Sequence, residues 1–252
     1  MKKLATLSLL AVGVIALTAC APTVKEYDGT EVQGVSATEI WVGNTAATSG
    51  IYAGVGEPFN IGLEAALNAY NLAGGFNGAQ IKLKHYDDGF KAENGVSYTT
   101  RLVEDDKVFA LVGHFGSPTV AATTSYIKSK GIPMVYAATG VNELYQEGAT
   151  GYNKSVMPVQ PIYKTEGRML LARALAANTN GFGLGATKVG VITADDEAGL
   201  GMVEGVKHQQ AFTTAQVVYA DTPAKTGSNH AAAVEKVKDC DVIIVCANQG
   251  PF

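Results

Sequence analysis

The sequence predicts an α/β protein of two lobes, each a mostly parallel sheet flanked by helices, with the second lobe incomplete. From Glu39 onward, short β-branched runs alternate with longer helical patterns, the mark of βαβ units winding a parallel sheet. Between Gly148 and Pro161 the composition shifts to Gly, Asn and the prolines Pro158 and Pro161, which reads as a crossing between lobes. The sequence then stops at Gln249-Gly250-Pro251-Phe252, just past a strand and with no helix to close that sheet.

Taken in order, Ile40 to Asn44 is the first strand, and a Gly/Ser/Thr-rich loop leads to a helix with Pro58 in its first turn and Ile61, Ala65 and Leu67 facing inward. Gly74-Gly75 stops that helix. Asn77-Gly78 turns the chain into a strand from Gln80 to Tyr86, which Asp87-Asp88-Gly89 ends. A helix from Lys91 to Glu104 precedes the apolar run Val108 to Val112, a buried central strand. Gly113-His114-Phe115-Gly116-Ser117-Pro118 opens a helix reaching Ser129, and Gly131-Ile132-Pro133 leads to a strand from Met134 to Ala137. A short strand, Ser155 to Met157, lies in the crossing. The second unit has helices at Tyr163 to Ala177, Leu200 to Gln210 and Asn229 to Lys238, and strands at Lys188 to Ala194, Gln216 to Tyr219 and Val242 to Cys246. The two lobes are expected at 38–157 and 158–252.

The N-terminus carries an export pattern: Lys2-Lys3, an uncharged stretch from Leu4 to Leu17, then Thr18-Ala19-Cys20. Leu17-Thr18-Ala19-Cys20 resembles the lipobox of bacterial lipoproteins. That resemblance implies a signal peptide over 1–20, a diacylglycerol on the Cys20 thiol and a membrane-tethered protein, with 21–37 as the tether. The alternative is an uncleaved anchor helix, though the stretch is short of the roughly 20 residues a spanning segment needs. Both place the remainder outside the cytoplasm.

A formal net charge of -4 with 17% charged residues gives no basic field, and no Lys/Arg cluster occurs, so no nucleic-acid partner is expected. Cys240 and Cys246 fall at the ends of one strand, roughly 20 Å apart and beyond disulfide reach, so they are read as two buried free thiols. No enzyme constellation is present: there is no Gly-x-Ser-x-Gly, His-Glu-x-x-His or Cys-x-x-Cys. Gly181-Phe182-Gly183-Leu184-Gly185 precedes its strand instead of following one, unlike a dinucleotide loop. No cofactor and no metal are expected.

The succession Val42-Gly43, Ser49-Gly50, Ala53-Gly54, Gly62-Leu63-Glu64-Ala65-Ala66, Asn71…Gly74-Gly75-Phe76-Asn77-Gly78, Tyr86-Asp87-Asp88, Leu102-Val103, Val112-Gly113-His114, Gly131-Ile132-Pro133 and Ala137-Ala138-Thr139 resembles type I periplasmic binding proteins. The nearest pattern is that of the branched-chain (Leu/Ile/Val) amino-acid-binding proteins of ABC importers, over about Glu39 to Phe252. The resemblance implies two α/β lobes joined by three crossings. It places the remaining second-lobe strands, two crossings and an acidic residue for a ligand ammonium beyond this sequence. A monomer that captures a small ligand, here an amino acid, and hands it to ABC permease and ATPase subunits is the implied function. A ligand-binding sensor or receptor domain is the alternative, and an enzyme a remote one.

Candidate binding residues cluster at strand ends. Ser117, with Gly116 before it and Pro118 after it, lies between a buried strand and a helix start, where hydroxyl and N–H groups attract anions. The resemblance gives that serine the ligand's α-carboxylate; a plain helix-capping serine is the other reading. Ala137-Ala138-Thr139 follows the fourth strand at the carboxyl edge, where ligands of open α/β sheets sit. By resemblance, a backbone carbonyl there takes the ammonium, and the Thr139 hydroxyl and N–H take the carboxylate; a capping threonine in a small-residue loop is the alternative. The spacing to Glu143-Leu144 is one residue longer than in the family. Tyr52 is read as an aromatic wall of the pocket or as a surface loop residue. Val55 and Ala198 stand where the family has aromatics, so leucine specificity is not carried over. Asp87-Asp88 and Asp195-Asp196-Glu197 are read as turns and helix caps in preference to metal ligands, and His114 as a structural histidine.

Overall fold

The computed structural model of the chain describes residues 32–179, 181–222 and 230–247. Cys20, the export pattern and the first part of the tether lie outside these residues. Within the segment read as tether, residues 32–37 lie against the first sheet. Val35 bridges Ile40, and the Gln33 amide donates to the carbonyls of Val103 and Val108.

The first sheet holds β1 (Glu39–Ala46), β2 (Gln80–Asp87), β3 (Ala110–Val112) and β4 (Met134–Val135), all parallel in the order β2-β1-β3-β4. Its helices are α1 (Ala53–Leu72), α2 (Ala92–Glu104) and α3 (Ser117–Lys130). A core of Leu102, Val108, Leu111, Val120, Ile127 and Met134 fixes α2 and α3 on the sheet. The second sheet holds β5 (Lys188–Ala194), β6 (Gln216–Thr222) and β7 (Val242–Cys246), parallel in the order β6-β5-β7. Its helices are α4 (Tyr163–Leu175), α5 (Glu197–Gln210) and α6 (Ala231–Val237). Leu171, Val189, Val191, Val206 and Ile244 close that core. Among the described residues no helix is long and apolar enough to cross a membrane.

Several elements differ from expectation for identifiable reasons. Strand β4 stops at Val135 because Tyr136 takes a left-handed φ of 55°, which breaks the ladder. The strand expected at Ser155 to Met157 is reduced to a one-residue bridge from Val156 to Met134, after a tight turn at Gly151–Ser155. Helix α1 starts a turn earlier than expected, so Pro58 lies inside it and cannot donate to the carbonyl of Gly54. Cys246 is buried, but Cys240 is only partly so, and both are free.

A buried polar chain ties α1 to the sheet. The Asn44 amide nitrogen donates to Asn60 Oδ1 at 2.9 Å and to the Gly113 carbonyl at 3.2 Å, and its oxygen lies 3.0 Å from His85 Nδ1. An amide oxygen only accepts, so His85 Nδ1 carries the proton and Nε2 accepts from the Thr48 hydroxyl, 3.2 Å away. Burial holds the His85 pKa below its ordinary value, against the upward pull of Asp87, Glu64 and Asp88. Asn44→Ala strands several of these groups at once and is expected to cost about 2 kcal/mol of unfolding free energy in urea titration. A loss under about 0.5 kcal/mol would mean that water replaces the amide.

Candidate functional site

In both sheets the chain order reverses beside a central strand. Strand β1 lies between β2 and β3, and β5 between β6 and β7. At such points the loops leaving the carboxyl ends run in opposite directions and leave a crevice. The loops after β1, β2 and β5 and the first turn of α3 meet there around a hollow of about 380 Å³, lined by Tyr52, Phe90, Lys91, Pro118, Asp196 and Glu197 among others. A larger apolar hollow of about 610 Å³ lies on the first sheet among Val35, Ile40, Phe76, Ile81 and Phe109, at earlier positions of the strands.

Ser117 is the first residue of α3, and Gly116, at φ 103°, is the capping residue before it. The serine hydroxyl is therefore not spent on the helix end. A β-carbon at Gly116 would meet the Phe90 ring at 2.9 Å, so glycine lets that loop pass under the aromatic. The loops after β3 and β4 are zipped together: the Ala138 N–H donates to the His114 carbonyl at 2.7 Å, and Ala138 bridges Phe115. This zipping delivers Thr139 to Ser117, with their hydroxyl oxygens 2.9 Å apart. Both side chains are buried, at 3% and 2% exposure. The Thr139 N–H donates to the Ala137 carbonyl at 2.9 Å, so the expectation that this N–H faces a ligand is not met in this arrangement.

A third hydroxyl, which the sequence reading missed, completes the group. The phenol oxygen of Tyr163, at the start of α4, lies 3.1 Å from Ser117 Oγ and 3.2 Å from Thr139 Oγ1. Its only sequence signal is a hydroxyl-bearing residue just after Pro161, at the crossing.

Tyr52 stacks on Phe90 with ring centroids 3.7 Å apart, and the pair forms the aromatic wall of the hollow. Burial, and secondarily the charge of Asp196, raise the Tyr52 pKa, so the phenol stays protonated. Phe90 was also missed; an aromatic in a strand-end loop after Asp88-Gly89 was the available signal.

Asp87, Asp88 and Asp196 hold turns and a helix end. Asp87 Oδ1 accepts from the N–H groups of Thr48, Ser49 and Gly89; burial raises its pKa, but these bonds and the Ser49 hydroxyl outweigh burial and lower it. Asp88 is fully buried, accepts from the Phe90 N–H and the Thr119 hydroxyl, and is raised by burial. It caps a turn, whereas Lys91 holds the capping position of α2. Asp196 caps α5 by accepting from the Gly199 N–H at 2.8 Å. His114 is fully buried with Nε2 3.0 Å from Thr99 Oγ1, but its Nδ1 has no hydrogen-bond partner, so the expected structural histidine is only half satisfied.

A family model described as periplasmic binding protein matches residues 13–252. An amino acid binding protein of Pseudomonas aeruginosa is 28% identical over 171 residues, 68% of this chain and 43% of its own length. Leu/Ile/Val-binding protein homolog 2 of Brucella abortus is 35% identical over 106 residues, 42% of this chain and 28% of its own length. A substrate-binding periplasmic protein from Ralstonia solanacearum superposes with a TM-score of 0.70 at 26% identity, over 84% of this chain and 57% of that one. A branched-chain amino acid transporter substrate-binding protein from Streptococcus pneumoniae, solved with isoleucine, gives 0.66 at 25% identity, over 82% of this chain and 57% of that one. The chain thus spans about half the length, or less, of these relatives.

Proposed function

The chain belongs to the periplasmic binding protein family, and on that footing we propose that it captures a small solute, an amino acid, in the crevice between its lobes and delivers it to an ABC permease with its ATPase. The observation that carries this reading is the 2.9 Å approach of the Ser117 and Thr139 hydroxyls at two neighbouring strand ends. Hydroxyls held this way, beside the N-terminus of α3, suit an α-carboxylate. Gly116, Ala137 and Ala138 shape the loops that present them, and Tyr52 with Phe90 forms the apolar wall for a side chain. The names of the relatives, several of them amino-acid-binding proteins, support the same ligand class.

In this reading residues 38–157 and 158–252 are the two lobes, and lobe closure on a hinge is what the permease recognises. The protein works as a monomer outside the cytoplasm. Lipid on Cys20 holds it to the membrane through the tether that precedes residue 32, since residues 32–37 belong with the first sheet.

Thermal-shift screening against each of the twenty amino acids, with Ser117→Ala alongside, tests the ligand reading. At a hundredfold excess over Kd a true ligand adds about 2.7 kcal/mol, a rise of several degrees in wild type that the variant loses. Absence of any shift, or an equal shift in Ser117→Ala, would refute the assignment.

A further inference from the structure

We propose that Tyr163 is a built-in occupant of the Ser117–Thr139 cradle, holding the two hydroxyls until an anionic group displaces its phenol. This inference rests on the ligand reading above and adds to it a residue that no strand-end motif contains.

The three oxygens of Ser117, Thr139 and Tyr163 lie 2.9, 3.1 and 3.2 Å from one another, and each hydroxyl has one hydrogen to give. A closed ring of three hydroxyls uses every donor internally. A carboxylate only accepts, so it can enter only when the ring opens and the Ser117 and Thr139 hydrogens turn toward it. Burial points the same way: at 3% and 2% exposure, the two side chains leave no surface for a second occupant while the phenol is in place.

The phenol is also well anchored, so its displacement has consequences. The Tyr163 N–H donates to the Gly140 carbonyl at 2.6 Å. A β-carbon at Gly140 would meet the Tyr163 ring at 3.0 Å, and one at Gly201 would meet the Tyr163 β-carbon at 3.1 Å. The ring is thus seated between a first-lobe loop and α5. One residue on, the Lys164 N–H donates to Asn142 Oδ1 at 2.9 Å. The Asn142 amide nitrogen donates to Glu204 Oε2 at 2.9 Å, and Lys164 Nζ to Glu204 Oε1 at 2.7 Å. Loop 139–142 is therefore tied to both α4 and α5. Moving the phenol out of the cradle shifts α4 against that loop, which links cradle occupancy to the placement of the second lobe.

The device also selects among ligand chemistries. A neutral alcohol can join a hydroxyl ring by both donating and accepting, whereas a carboxylate gains most where two donors are released together.

Calorimetric titration of wild type, Tyr163→Phe and Ser117→Ala with each of the twenty amino acids tests the proposal. Phenylalanine keeps the ring between Gly140 and Gly201 and removes only the competing hydroxyl. Tyr163→Phe is expected to bind the amino acid that wild type binds roughly tenfold more tightly, because about one hydrogen bond of competition is gone. Binding by Tyr163→Phe where wild type is silent would support the same conclusion. Equal or weaker binding by Tyr163→Phe, with Ser117→Ala still impaired, would overturn the occupant role and leave the ligand reading standing. Unimpaired binding by Ser117→Ala, or silence from both wild type and Tyr163→Phe, would overturn the ligand reading and this inference together.

Discussion

Replacing Gly205 by valine is expected to lower the melting temperature by roughly 6–12 °C, the equivalent of about 3 kcal/mol. A β-carbon at Gly205 would lie 2.0 Å from the Lys164 carbonyl oxygen and 3.0 Å from the Arg168 nitrogen of the facing helix. These are backbone atoms, so no side chain can turn aside, and α4 and α5 must separate along a densely packed contact. The reciprocal contact is equally tight, with a β-carbon at Gly167 of α4 falling 2.0 Å from the Met202 carbonyl oxygen. Gly201 and Gly205 are four residues apart and share one face of α5. Gly62→Ala is the matched control. It lies in α1 with nothing within 4 Å of its β-carbon position, so the better helix former should add up to about 1 kcal/mol. Melts followed by circular dichroism decide the matter; a Gly205→Val midpoint within about 2 °C of wild type would show that the helix pair relaxes freely.

The second large effect is a pH dependence from His114. Burial alone pushes its pKa from 6.5 down to about 3, and no acidic partner offsets the shift. Below pH 6.5 the unfolded chain takes up a proton that the native state refuses, so stability present above 6.5 is lost progressively as pH falls toward 3. Each pH unit in that window costs about 1.4 kcal/mol. Between pH 7 and pH 5 the wild type should therefore lose about 2 kcal/mol more than His114→Gln, which can still bond Thr99 but does not titrate. Urea titrations of both proteins at the two pH values check this. Parallel losses would place the acid sensitivity elsewhere.

Much of the fold was legible because hydrophobic periodicity records which face of an element is buried, but it failed for α1, where Ile61, expected inward, is 59% exposed and the buried residues are Gly56 and Asn60. The strands Lys188–Ala194 and Val242–Cys246 appear at the expected residues, since apolar runs between polar turns have one economical pairing in a parallel sheet. Helix ends were legible where glycine closes them, as at Gly131 after α3. Elements shortened by backbone conformation were not. Nothing in the residue type of Tyr136 announces a positive φ, and Pro58 signalled a helix start a turn too late. The candidate site divides in the same way. Ser117 and Thr139 were singled out because they stand in strand-end loops at the carboxyl edge, where ligands of open α/β sheets sit, whereas Tyr163 sits 24 residues beyond Thr139 on another element.

The order of residues was enough to determine two parallel sheets and the layers of helices, and to single out the strand ends where Ser117 and Thr139 stand. Local preference and burial periodicity act over a few residues and are written into the chain directly. Tertiary structure alone decided that a phenol from α4 closes the ring of hydroxyls, that Phe90 backs Tyr52, and that glycines let α4 and α5 touch backbone to backbone. Those contacts depend on distances of a few tenths of an ångström between segments far apart in sequence, and no local pattern encodes them.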